Sequence, residues 1–364
     1  MGKPFTMSQK VHNFSAGPGI LPDEVIQQAA QAVLNFNGTG LSLLEMSHRS
    51  KEYVAVMVEA RAIVKRLLGL GDDYEVIYVG GGASLQFAMV PFNLLTTGNY
   101  AAYTNTGVWA KKAIKEAKMM GKVTVVASSE DKNYNFIPKD YSVPGDADYF
   151  HCTSNNTIYG TQMKTFPKSS VPLVCDMSSD IFSRVLDFTQ FDLIYAGAQK
   201  NMGPAGATMV AVKKSILGKN GRTIPSMLDY NVHIEGESMY NTPPVFPVYC
   251  VLLTLQWVEK MGGIAAMEKR NNAKAELLYN EIDRNSLFVG TAAKEDRSYM
   301  NVCFVMKDES KEEAFSQALK AANISGLKGH RSVGGFRASI YNAMPIESVQ
   351  VLVDVMKQFE QTHA

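Results

Sequence analysis

Residues 191–206 read FDLIYAGAQKNMGPAG: an apolar run, then small residues, one lysine, and Gly203-Pro204 with Gly206 close behind. The run at 193–196 predicts a buried strand that ends in a turn. A lysine at the mouth of a sheet, ringed by small residues, is partly desolvated. Desolvation disfavours the ammonium and leaves a nucleophilic amine, the state a Schiff base requires. Lys200 also fits a solvated loop lysine, and this segment alone leaves both readings open.

Four other apolar runs end in residues that could serve the same chemistry. The strand predicted at 76–79 runs into Gly80-Gly81-Gly82-Ala83-Ser84, followed by a helical run over 85–95. Glycines let backbone amides approach an anion, and a helix N-terminus adds partial positive charge, so this reads as a phosphate cup or as a tight turn. It lacks the spacing of a nucleotide P-loop and of G-x-G-x-x-G. The strand at 100–103 leads to Trp109, in the first turn of the next helix, where an indole could stack on a planar ring or simply pack. The strand at 149–152 leads to Thr153-Ser154-Asn155-Asn156-Thr157, where Thr157 could bond a cofactor oxygen or cap a turn. The strand at 173–175 leads to Asp176, which is either a cap or the partner of a cation, since an unpaired buried carboxylate is costly. Aldehyde, ring nitrogen, phosphate and ring face of pyridoxal phosphate each find a candidate in this set. Cysteine and histidine positions offer no metal-ligand spacing.

These residues need a scaffold that brings strand ends to one edge. Apolar runs at 76–79, 100–103, 123–127, 149–152, 173–175, 193–196 and 208–212 alternate with helical segments. The pattern predicts a mostly parallel sheet whose strands are buried on both faces, with helices on either side. In such sheets ligands bind beyond the carboxyl ends of the strands. Amphipathic helices are expected over 22–36 and 53–68, the second with Val54, Met57, Val58, Val64, Leu67 and Leu68 as its apolar stripe. From about Gly262 the rhythm shifts to helix 267–283, strand 300–306, helix 312–322, strand 336–341 and helix 346–360, a compact α+β unit.

At 364 residues, two domains are the default expectation. The division expected here is a large domain over 16–262 and a small C-terminal domain over 263–364, with segment 7–15 packing on the latter. Residues 1–6 read as an added leader before a second start at Met7. A net charge of +1 argues against nucleic-acid or polybasic membrane surfaces. No window approaches the roughly 18 apolar residues of a membrane span. Cys152, Cys175, Cys250 and Cys303 are far apart and suit reduced thiols of a cytoplasmic enzyme.

Five segments share a wider likeness: Asn13-Phe-Ser-Ala-Gly-Pro18, Glu45-Met-Ser-His-Arg-Ser50, Cys175-Asp-Met-Ser-Ser-Asp180, Ala198-Gln-Lys-Asn201 and Gly329-His-Arg-Ser-Val-Gly-Gly-Phe-Arg337. In order and separation they resemble the phosphoserine aminotransferases, class V members of the fold-type I pyridoxal-phosphate enzymes. The resemblance spans the chain from about residue 12 onward. It implies a seven-stranded, mostly parallel α/β domain, a smaller α+β domain, and a homodimer with active sites at the subunit interface. It implies pyridoxal 5'-phosphate on Lys200, with Asp176 on the pyridinium nitrogen, Trp109 on the ring and Thr157 by the ring hydroxyl. Ala83, Ser84 and Gln199 would hold the cofactor phosphate, with Asn241 and Thr242 reaching it from the other subunit. Ala83-Ser84 departs from members with arginine in that loop, so the cup would rely on amides, hydroxyls and the helix end.

The implied reaction exchanges an amino group between L-glutamate and 3-phosphohydroxypyruvate, giving phosphoserine and 2-oxoglutarate in serine biosynthesis. Many bacterial members also act on the four-carbon phosphorylated oxo acid of pyridoxine biosynthesis. Such substrates need two anion clamps, and arginine's planar fork suits both. The resemblance places Arg337 on the α-carboxylate. It places His48 and Arg49 of the partner, with His330 and Arg331, around the distal phosphate or carboxylate. Taken without it, each pair also reads as solvated charge. Competing readings are an alanine–glyoxylate-type transaminase or a cysteine desulfurase, a nicotinamide-dependent dehydrogenase, and a non-catalytic dimeric binding protein. The desulfurase needs a mobile cysteine and the dehydrogenase a different glycine spacing.

Overall fold

The structure is a computed structural model and describes residues 11–364. The expected leader at 1–6 and residues 7–10 lie outside the described residues. The chain begins with β1 (His12–Asn13), α1 (Asp23–Leu34) and α2 (Lys51–Leu68). Strand–helix units follow: β2 (Tyr74–Val79), α3 (Gly82–Leu94), β3 (Tyr100–Asn105), α4 (Val108–Met120) and β4 (Lys122–Ser128). Next come β5 (Phe150–Thr153), the hairpin β6 (Asn155–Asn156) and β7 (Thr161–Gln162), then β8 (Leu173–Asp176), β9 (Leu193–Gly197) and β10 (Thr208–Lys213). Helices α5 (Tyr230–Glu235), α6 (Val245–Lys260) and α7 (Gly263–Arg284) lead to β11 (Phe288–Gly290), β12 (Asn301–Met306) and α8 (Glu312–Ala321). The chain closes with β13 (Ile324–Ser325), β14 (Phe336–Ser339) and α9 (Ile346–His363).

All seven apolar runs that predict strands enter one seven-stranded sheet, in the order β2-β10-β9-β8-β5-β3-β4. Only β10 runs against the rest, pairing antiparallel with both β2 and β9. The carboxyl ends of β2, β3, β5, β8 and β9 therefore share one edge. Central strands β5, β8 and β9 are buried at every residue, as expected of strands covered on both faces. β4 departs from that expectation: it is an edge strand with no fully buried residue, and Val125 is 40% exposed.

The α2 stripe is also rotated from the expected one. Tyr53, Val56, Met57, Ala60, Ile63, Val64 and Leu68 face the core, whereas Val58 is exposed. The helix starts where Ser50 accepts a hydrogen bond from the Tyr53 amide at 3.3 Å and stops at Gly69 in the left-handed region. α6 had no amphipathic signature because it is apolar on nearly all sides. It is buried from Val248 to Leu255 and packs on α1, α2 and α7, with Tyr249 edge-on to Phe36.

A second core lies between the antiparallel sheet β11-β12-β14 and helices α7, α8 and α9. Phe288, Phe304, Phe315, Phe336 and Phe359 interlock there, with ring centroids 4.9–5.6 Å apart. β1 pairs parallel with β13, and Phe14 enters this core. Buried polar residues join the two cores. Asn271 on α7 donates to the Ser183 carbonyl (2.9 Å) and to Asn342 Oδ1 (2.8 Å). Asn201, next to Lys200, donates to the Ile181 carbonyl and accepts from the Asn342 amide at 3.0 Å. The loop that carries Lys200 is thus tied to both.

Candidate active site

Lys200 sits on the turn after β9. The Ala198 carbonyl accepts from the amides of Met202 (3.1 Å) and Gly203 (2.9 Å), which curls the chain tightly and aims the lysine across the sheet edge. Its amine donates to Thr157 Oγ1 at 3.2 Å and lies 5.7 Å from the centroid of the Trp109 ring. Lys200 retains some exposed surface, yet burial of its amine dominates and pushes its pKa down. The Asp176 charge opposes that shift and the Arg337 guanidinium reinforces it. This is the desolvated amine anticipated from the sequence, not a solvated loop lysine.

Asp176 ends β8 and is 4% exposed. Ser178 donates to its Oδ1 from the amide (2.9 Å) and the hydroxyl (2.6 Å), and the Ser178 hydroxyl accepts from the Gly197 amide. Burial raises the carboxyl pKa; the Ser178 bonds and the Lys200 charge work against it. Both bonds fall on one oxygen, so the carboxylate is oriented with its other oxygen available to a cation. Ser178 was not singled out in the sequence, although an acid followed two residues later by serine, at a strand end, is an Asx-turn signal.

The hydroxyl and amide cluster after β5 divides its tasks. Asn155 donates to Ser179 Oγ and Asn301 Oδ1, and Asn156 to Thr161 Oγ1, which builds the β6–β7 hairpin. Thr157, 4% exposed, is the member that meets Lys200.

At the end of β2 the chain turns through Gly81 (φ 84°) and Gly82 (φ 64°) into α3. A Cβ at Gly81 would meet Leu85 Cβ at 2.5 Å, so only glycine fits. The first helical hydrogen bond runs from the Leu85 amide to the Gly81 carbonyl, leaving the Gly82, Ala83 and Ser84 amides without helical acceptors. Gln199 folds over Gly197: a Cβ there would meet Gln199 Oε1 at 2.8 Å.

Arg337 lies on β14, with Nε buried and unpartnered, close enough to influence Lys200. The loop between β13 and β14 closes through a Gly329 amide to Gly335 carbonyl bond of 2.8 Å. Within it His330 Nδ1 contacts Ser332 Oγ at 2.7 Å. Burial lowers the His330 pKa, and the charges of Arg337, Arg331 and Lys112 lower it further. Lys112 was missed in the sequence; its signal is the one-turn spacing from Trp109 on an amphipathic helix.

His48, Arg49, Asn241 and Thr242 stand apart. Among the described residues no hydrogen bond or ion pair joins them to Lys200, Asp176, Thr157 or Arg337. Arg49, Asn241 and Thr242 are exposed, and His48 Nε2 is buried without a partner.

The residues fit pyridoxal phosphate. A Cβ at Gly80 or Gly82 would meet nothing within 4 Å, so the cup is open to an anion. Trp109 Nε1 and Thr153 Oγ1 are buried without partners, and among the described residues the hydrogen bonds on the Asp176 carboxylate come from Ser178, with no cation among them.

Comparison with known proteins agrees with this geometry. The Aminotransferase class-V family matches residues 11–352. A curated phosphoserine aminotransferase of Flavobacterium psychrophilum is 66% identical over 352 residues, covering 96% of this chain and 99% of that one. The solved phosphoserine aminotransferase from Bacillus circulans subsp. alkalophilus superposes with a TM-score of 0.95 at 46% identity, covering 98% of this chain and 100% of that one. A structure of pyridoxal-phosphate-bound phosphoserine aminotransferase from Trichomonas vaginalis gives a TM-score of 0.91 at 37% identity, covering 96% of this chain and 100% of that one. The fold is thus that of the fold-type I, pyridoxal-phosphate-dependent class V aminotransferases. Within that class, the chain belongs to the phosphoserine aminotransferase family.

Proposed function

We propose that Lys200 is the residue that holds pyridoxal phosphate, and that the protein moves an amino group from L-glutamate to 3-phosphohydroxypyruvate, releasing 2-oxoglutarate and O-phospho-L-serine. One observation carries the assignment: a desolvated lysine amine, 3.2 Å from Thr157 Oγ1, shares a sheet edge with the buried carboxylate of Asp176. The bound cofactor supplies an electron sink for the pair of electrons left at the substrate Cα. Lys200 Nζ takes the proton from Cα and returns it, a role that requires an amine neutral near the working pH. Asp176 keeps a proton on the ring nitrogen. Trp109 packs on the ring face, and Thr157 serves the ring hydroxyl. The free amides at the start of α3, with Ala83, Ser84 and Gln199, bind the cofactor phosphate.

Arg337 binds the α-carboxylate common to both amino acids, which its buried, unpartnered Nε suits. His330 and Arg331 take the distal phosphate or carboxylate. His48, Arg49, Asn241 and Thr242, which make no hydrogen bond or ion pair with their own Lys200 among the described residues, complete the partner's site in a homodimer. The proposed domain division is 16–262 and 263–364, with the N-terminal segment on the smaller unit. The same site would accept the four-carbon phosphorylated oxo acid of pyridoxine biosynthesis, in a cytoplasmic setting.

Single-turnover assays with phosphoserine, alanine, serine and aspartate test the substrate. Phosphoserine should react fastest, and a preference for alanine would sink the proposal. Mixing Lys200→Ala with Arg49→Ala subunits tests the shared site. Each hybrid dimer should regain one intact site, and a mixture as inactive as its parents would refute the sharing.

A further inference from the structure

Lys112 lies one turn beyond Trp109 on α4, so the two side chains share a helix face. Its Nζ is 4.5 Å from the centroid of the indole that also has the Lys200 amine 5.7 Å from its centroid. The neighbouring lysine is engaged elsewhere: Lys111 Nζ pairs with Glu130 Oε1 at 2.5 Å. Among the described residues Lys112 has no carboxylate in ion-pair range. Its charge reaches the loop between β13 and β14. His330 there is held toward its neutral form by burial and by the charges of Arg337, Arg331 and Lys112. The charges of Arg331 and Arg337, in the loop and on β14, and of Lys112, on α4, thus all act on one imidazole. Like charges gathered this way repel unless an anion lies among them.

We propose that Lys112 is a specificity-determining residue that binds the phosphate of the phosphorylated substrate and contributes little to binding of glutamate. The inference rests on the proposed placement of the distal group beside His330 and Arg331. The chemistry separates the two ligands. A phosphate monoester carries close to two negative charges at neutral pH and three acceptor oxygens, whereas a carboxylate carries one charge and two oxygens. An arginine fork satisfies a carboxylate in full. A phosphate gripped by the same fork keeps a further oxygen, and a flexible ammonium suits it as a point charge without fixed bidentate geometry. Lys112 is exposed, and its ammonium lies over the indole on a long, flexible stem, from which it can turn to an anion beside the ring.

The test is Lys112→Met in the holoenzyme, which keeps an apolar stem on Trp109 and removes the charge. Single-turnover half-reactions are followed separately with phosphoserine and with glutamate. The half-saturating phosphoserine concentration should rise about tenfold, with the limiting rate within about twofold and the glutamate constants unmoved. Lys112→Arg should restore most of the affinity, and Lys111→Met should change neither half-reaction. Equal losses with both amino acids, or no loss with phosphoserine, would overturn the role. Arg331→Ala run in parallel separates the layers. If Arg331→Ala weakens phosphoserine and Lys112→Met does not, only the Lys112 role fails. If Arg331→Ala leaves phosphoserine saturation unchanged, the distal pocket is misplaced and the Lys112 role falls with it.

Discussion

Replacing Asp176 by asparagine isolates a charge with little change of shape. The carboxylate is 4% exposed and receives the Ser178 amide (2.9 Å) and hydroxyl (2.6 Å) on Oδ1. An asparagine carbonyl can accept both bonds, so the turn after β8 should survive. The other oxygen becomes an NH2 group, which donates where the proposed ring N–H also donates. Breaking a buried charge pair costs about 3–5 kcal/mol. At about 1.4 kcal/mol per decade, removal of the Cα proton should slow by roughly two to four powers of ten. Folding should not suffer, because a carboxylate whose pKa is raised by burial pays a desolvation penalty that the amide does not. The assay is stopped-flow single turnover with glutamate, set beside thermal unfolding of the cofactor-free protein. A rate within about threefold of wild type would refute the pairing of Asp176 with the ring nitrogen. A rate loss accompanied by an equal collapse of the unfolding temperature would make Asp176 a structural cap instead.

Lys200→Ala should abolish the visible absorption of the holoenzyme and nearly all turnover; a yellow, active variant would exclude Lys200 as the cofactor lysine. Arg337→Ala should impair both half-reactions, measured as kcat/KM with glutamate and with phosphoserine, and a defect confined to the phosphorylated substrate would contradict an α-carboxylate role. Burial pushes the His151 imidazole from its usual 6.5 down to about 3, while Nε2 shares a 2.8 Å hydrogen bond with the Tyr195 hydroxyl. Between those pH values the unfolded chain binds a proton that the folded chain refuses, so stability should fall as pH drops from about 6.5 toward 3. His151→Gln should flatten that limb of the urea midpoint against pH by up to one proton, about 1.4 kcal/mol per pH unit at most, and an unchanged slope would refute the neutral buried imidazole.

The sequence by itself determined the seven strands, because runs buried on both faces are marked by local composition and their ends by turn residues. It also placed Lys200, Asp176, Thr157, Trp109 and the glycine cup at carboxyl ends of parallel strands, since that geometry follows from strand direction alone. It did not yield α6, whose uniform apolarity carries no period, or the inward face of α2, where Val58 turned out to be exposed. Tertiary structure decided what depends on contacts distant in the chain. The strand order puts Asp176 on the strand beside the one that leads to Lys200, with Asp176 opposite Tyr195. The bond between Asn201 and the Asn342 amide ties the lysine turn to the C-terminal core. The charge of Lys112, on α4, reaches His330 in the distant segment that also carries Arg331 and Arg337. Sequence spacing does not set the distance between cations on different elements, so only the folded protein could show that the charge of Lys112 reaches His330.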